Sequence, residues 1–122
     1  MKLDKRLNDE ILEYSKGLWL YATFTCISSV YNNINFEQQK DIFFNLIYSW
    51  LCDGIIKFCP PNDIWHEGME YWNETPNNIV DYLRKRFPNE ANSENDLTVN
   101  NYFYDIVPAV LWKESNGDYI GS

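Results

Sequence analysis

The chain has 122 residues, of which 45% are hydrophobic and 17% aromatic, with a formal charge of -8 and three cysteines. That length closes the core of one domain without disulfide or metal staples, and the apolar share excludes a disordered chain, which would lack the buried area to offset its ordering entropy. The negative balance repels phosphate backbones and anionic lipid while it hastens encounter with a basic partner.

In chain order, Met1 to Arg6 meets charge at once and has no apolar stretch ending in small residues, so it reads as a mature start. Leu7, Ile11, Tyr14, Leu18 and Tyr21, continued by Phe24, Ile27 and Tyr31, fall three or four apart. This spacing predicts a helix over residues 4–32 with one buried stripe, weakened at Gly17, where a kink is expected. Its second half, apolar nearly all round, is the expected central helix of the core.

Asn35 followed by Gln38 forms a variant capping box, and Ile42, Phe43, Leu46, Ile47, Trp50 and Leu51 share one face of the helix it opens. Gly54 stands where a left-handed cap belongs. Ile55 to Phe58 is a short β-prone run halted by Pro60 and Pro61, and residues 62–74 lack periodicity and read as loop or an irregular turn. Thr75 and Pro76 then start a third helix, with Ile79, Val80, Leu83 and Phe87 inward and Pro88 as its stop. Arg84, Lys85 and Arg86 in its last turn complement the helix dipole. Residues 89–101 are polar, Tyr102 to Ile106 fits helix or strand, and Val107 to Trp112 with Asn116, Gly117 and the β-prone tail predicts a closing hairpin. The expected fold is α+β and predominantly helical: three main helices, a short strand and a C-terminal β-hairpin in a single domain, 1–122.

The charge is unevenly placed. Residues 1–58 carry a net of -1 and residues 59–122 a net of -7, and Asp63, Glu67, Glu70, Glu74 and Asp81 follow Lys57 with no base before Arg84. The plainer reading of such a surface is solubility. Cys26, Cys52 and Cys59 make no CxxC pair, which signals neither a disulfide framework nor a zinc knuckle and suits a reducing cytoplasm. No apolar run approaches the roughly 18–20 residues of a membrane span.

Catalytic chemistry finds few supports. His66, Glu67, Gly68, Met69 and Glu70 resemble the zinc-protease pattern HExxH, but Glu70 stands where the second imidazole must be, so no metal site is expected. A triad would have to be built on His66, the one histidine, and no Ser or Cys stands in a nucleophile motif. Carboxylates from Glu67 to Glu74 are more simply a solvated face than a glycosidase pair. Glycine-rich phosphate cradles are absent, so no cofactor is expected.

What remains is a stretch in which aromatics and acids interleave: Asp63, Trp65, Glu67, Glu70, Tyr71, Trp72 and Glu74. Trp and Tyr anchor binding hot spots and complementary charge speeds association, which makes these seven the candidate partner-binding residues. Trp65 and Trp72 also have a purely structural reading, as caps on the core of a small domain.

The run Leu51 to Phe58, the aromatic-acidic stretch, Ile79 to Pro88 with its Phe-Pro ending, and Ala109 to Trp112 before the hairpin resemble the bacterial family catalogued as domain of unknown function 596. The resemblance covers most of the chain and rests on a pattern of elements rather than on a chemical signature. It implies an immunity protein, which protects a bacterium from toxins delivered by contact-dependent inhibition, and it supplies no catalytic residues. The expected function is therefore a cytoplasmic, non-enzymatic inhibitor that binds the C-terminal domain of a cognate basic toxin, for which a nuclease is one candidate, without touching nucleic acid or membrane. The alternative is an interaction or regulatory module unrelated to toxins.

Overall fold

Residues 4–61 and 70–121 are described by the structure, a computed structural model. Asp4 stands in extended backbone, and its carboxylate accepts from the amides of Arg6 and Leu7, two of the donors that a helix start leaves without partners. Helix α1 (Lys5–Ser15) follows. It stops where Gly17 takes φ +81, backbone that a side chain resists, and the chain restarts at Trp19 into α2 (Leu20–Val30). The expected helix over 4–32 is thus two helices. They lie back to back, since the Tyr31 hydroxyl at the end of α2 accepts from the Asp4 amide and donates to Asn8 Oδ1.

Asn35 and Gln38 close the expected capping box, each side chain accepting from the other's amide at 2.8 and 2.9 Å, and α3 runs from Phe36 to Cys52. It buries Gln39, Ile42, Phe43, Phe44, Leu46, Ile47 and Trp50 and packs against α2, α4 and β1. The centre of the core is shared by α3 and α2, which packs on α1 and α3, sets Phe24 against Phe87 and Phe103, and leaves only Ser29 exposed. Around it the ring of Phe24 lies 5.4 to 5.9 Å from those of Phe36, Phe43, Phe87 and Phe103. Such tilted and edge-on pairs each add about 0.5–1.5 kcal/mol beyond the area they bury.

After Gly54, held at φ +72, strand β1 (Ile56–Phe58) pairs antiparallel with β2 (Val110–Lys113), and β2 with β3 (Tyr119–Gly121). The lone strand and the hairpin expected from sequence are one three-stranded sheet. The hairpin loop is Ser115 to Gly117, with Gly117 at φ +93 and the Glu114 amide donating to Asp118, a three-residue loop rather than a two-residue Asn-Gly turn. Thr75 caps α4 (Pro76–Lys85) as expected.

The polar stretch after Pro88 is pinned by Glu94. Its carboxylate accepts from Ser28 Oγ at 2.6 Å and Gln39 Nε2 at 2.9 Å, and its carbonyl accepts from the Tyr21 hydroxyl. Asp96 caps α5 (Leu97–Asn101), which widens into a π-helix over Tyr102–Ile106. The fold is α+β and mostly helical. Five α-helices and a π-helix replace the three main helices expected, among the described residues.

Candidate partner-binding surface

The Trp72 amide donates to the Phe58 carbonyl at 2.8 Å, which lays residues 70–74 along the outer edge of β1. Trp72 turns inward, half-buried against the core with its ring edge-on to Tyr82 at 5.1 Å. It braces the stretch from the inner side, as its structural reading has it, and keeps part of its surface exposed.

Tyr71 turns outward and is 40% exposed. Its ring stands 5.5 Å from that of Tyr119, and the Lys57 ammonium lies 4.3 Å from the first centroid and 4.6 Å from the second. The ring faces attract the cation and cover part of its charge. Tyr119 is fixed in turn by donating its hydroxyl to the Gly54 carbonyl. Glu70 is exposed, and so is Glu74, which accepts from Asn78 Nδ2 at 3.0 Å. Asp81 pairs with Lys85 at 2.8 Å. Of the seven expected residues the structure therefore brings Glu70, Tyr71 and Glu74 to one exposed stretch. Asp63, Trp65 and Glu67 lie outside the described residues, as does His66.

The basic trio closing α4 is occupied locally. Arg84 pairs with Asp41 at 3.1 Å and lies over Phe44, while Arg86 stacks on Tyr82 with its guanidinium carbon 3.6 Å from the centroid. These contacts hold the three cations to their own helix and to α3 rather than gathering them into a cradle. Burial, aided by the charge of Glu10, pushes the Cys26 thiol up, which disfavours the reactive thiolate. Among the described residues no group of three or more His, Cys, Asp or Glu side chains has the arrangement to hold a metal ion. No described helix is long and apolar enough to cross a membrane.

A second aromatic surface was missed from the sequence. Trp19, at the start of α2, is 44% exposed, and Tyr104, on the π-helix, is 80% exposed, with their rings edge-on at 6.5 Å. Trp19 also stands 5.3 Å from Tyr21, and Tyr21 5.6 Å from the buried Phe103. The only signal in the sequence was three consecutive aromatics, Tyr102 to Tyr104, more than one inner face accommodates.

No family model and no curated protein matches the chain. Among solved structures, an uncharacterized protein conserved in bacteria, from Neisseria meningitidis, shares the fold with a TM-score of 0.69 and 20% identity, covering 94% of this chain and 88% of that one. At that identity the likeness is one of fold.

Proposed function

We propose that this chain is a protein-binding domain of the immunity type, which neutralises a basic toxin domain by occupying it. One observation carries the reading: Tyr71 is exposed between Glu70 and Glu74, while the nearby cations are already engaged, Lys57 by two tyrosine rings and Lys85 by Asp81. Such a surface offers an aromatic anchor beside two carboxylates, which Lys57, still charged against its rings, offsets only in part, a combination that draws in and holds a basic protein. The resemblance to domain of unknown function 596 supports the same reading. Cys26 and Cys52, neither of them in a disulfide, suit a reducing cytoplasm, where an inhibitor of a delivered toxin has to act.

The test is growth rescue. Where a large polypeptide is encoded next to this chain, its C-terminal domain is expressed alone and together with this chain. Arrest in the first case and growth in the second, with the two proteins co-purifying in equal amounts, is the expected result. Equal arrest in both cases overturns the proposal.

A further inference from the structure

The surface formed by Trp19 and Tyr104 is held more firmly than exposed aromatics require. The turn that carries Trp19 is clamped to the sheet, because the Trp112 indole N–H donates to the Leu18 carbonyl at 2.9 Å. The π-helix that carries Tyr104 is fixed by its two preceding residues. The Tyr102 hydroxyl donates to the Leu83 carbonyl at 2.7 Å, and Phe103 sits 5.4 Å from both Phe24 and Phe43. Single-turn π segments recur at functional sites, where they re-aim a side chain. Here the wider turn lets Tyr102 and Phe103 both point inward and sends Tyr104 into water, at 80% exposure.

The segment that carries Tyr104 has charge of one sign. Between Arg86 and Lys113 the chain has four acids and no base. Glu94 is held by Ser28 and Gln39, and Asp96 caps α5, but Asp105 is exposed directly after Tyr104. On the side of Trp19, Lys16 pairs with Glu13 at 3.5 Å. Exposed rings with an exposed carboxylate next in the chain match a guanidinium, which stacks flat on a ring while its N–H groups reach an acid; an ammonium is more strongly hydrated and cannot stack.

We infer that Trp19 and Tyr104, rimmed by Asp105, form a preorganised docking surface for an arginine-bearing segment of a basic protein partner. The inference rests on the reading of the chain as a binder of a basic protein and assigns it a second face, besides the one at residues 70–74. Because the backbone that carries both rings is already fixed, little of its freedom is lost on binding, and the surface favours affinity beyond what its area alone supplies.

The experiment uses the full chain, labelled with nitrogen-15 and titrated with an oligoarginine peptide, an oligolysine peptide of equal length serving as comparison. The expected result is a saturable shift of the Trp19 indole N–H, assigned through Trp19→Phe, with weaker response to oligolysine. Tyr104→Ala, at so exposed a position, should keep its melting temperature and weaken oligoarginine binding on the order of tenfold; Tyr104→Phe should retain it. Shifts centred on residues 70–74 with Trp19 unmoved overturn the inference, and so does a Trp19 shift unchanged by Tyr104→Ala. Small shifts spread over every exposed acid and abolished by salt overturn it as well. Growth rescue does not depend on which face is used, so the binder reading and this assignment fail separately.

Discussion

The Tyr102 hydroxyl donates to the Leu83 carbonyl at 2.7 Å, in the buried contact that ties the π-helix to α4. Burial pushes the phenol well above its ordinary range, partly opposed by the charge of Arg84, so this hydroxyl stays a donor throughout the working pH range. Tyr102→Phe keeps the ring contacts with Phe87 and Phe103, at 4.8 and 5.0 Å, and removes only the donor. Leaving the carbonyl without its partner is expected to cost about 1–3 kcal/mol. The measurement is a urea melt, with a lowered midpoint and an unchanged slope as the result. A midpoint equal to wild type would show that the hydroxyl is not what anchors the π-helix.

Features set by a few neighbouring residues were legible in the sequence. The Asn35–Gln38 box, the Thr75–Pro76 start and the left-handed Gly54 each depend on chemistry within one turn. The weak point at Gly17 was legible as a kink but not as a full break, because the apolar spacing runs through it from Leu7 to Tyr31. Spacing cannot tell a bent helix from two helices that share a stripe, and Tyr14, counted on that stripe, is 57% exposed. The π-helix was unreadable for a related reason: its repeat matches neither the helix nor the strand period, so Tyr102 to Ile106 suited both. At the candidate surface, composition picked out the stretch, but the hydrogen bond from Trp72 to Phe58 decides which side chains face water, and it joins residues distant in sequence.

Leu46, 3% exposed, lies midway along the helix that packs against α2, α4 and β1. Leu46→Ala leaves a cavity that surrounding elements fill only in part, and the expected loss is about 2–5 kcal/mol. Ser49→Ala, on the exposed side of the same helix, should change stability by less than about 0.5 kcal/mol. Comparable small effects for both in denaturant melts would mean that the core does not close on this face.

Asp96 should give the stability a recognisable acid dependence. Its carboxylate accepts from the Thr98 hydroxyl at 2.7 Å and from the Thr98 amide at 2.9 Å, and these bonds, the hydroxyl's first, hold its pKa below the ordinary carboxylate range. The unfolded chain therefore takes up this proton more readily than the folded one. The stabilisation is fully present above the ordinary range and is lost as pH falls through it towards the depressed value. Asp96→Asn keeps a capping oxygen but cannot titrate. Urea melts from about pH 6 down to about pH 3 should show the gap between wild type and variant shrinking with acid. A gap that stays constant would remove Asp96 from the acid response.

The acidic stretch beside β1 links charge to function most directly. Glu70 and Glu74 are exposed, and reversing both to Lys removes one surface hydrogen bond to Asn78 and places cations near the start of α4, a small cost that solvent screens. The fold should survive. Binding to a basic toxin domain should suffer more, because rim charges act chiefly on the association rate and on its salt dependence. The double variant is expected to associate more slowly than wild type at low salt, the gap narrowing as ionic strength shortens the reach of both fields. Rescue of toxin-expressing cells should fall in parallel. If the doubly reversed chain melts like wild type, associates at the same rate across the salt series and still protects fully, this stretch lies outside the interface. Its carboxylates then serve solubility, and the contact falls to another face, of which the surface at Trp19 and Tyr104 is the one to mutate next.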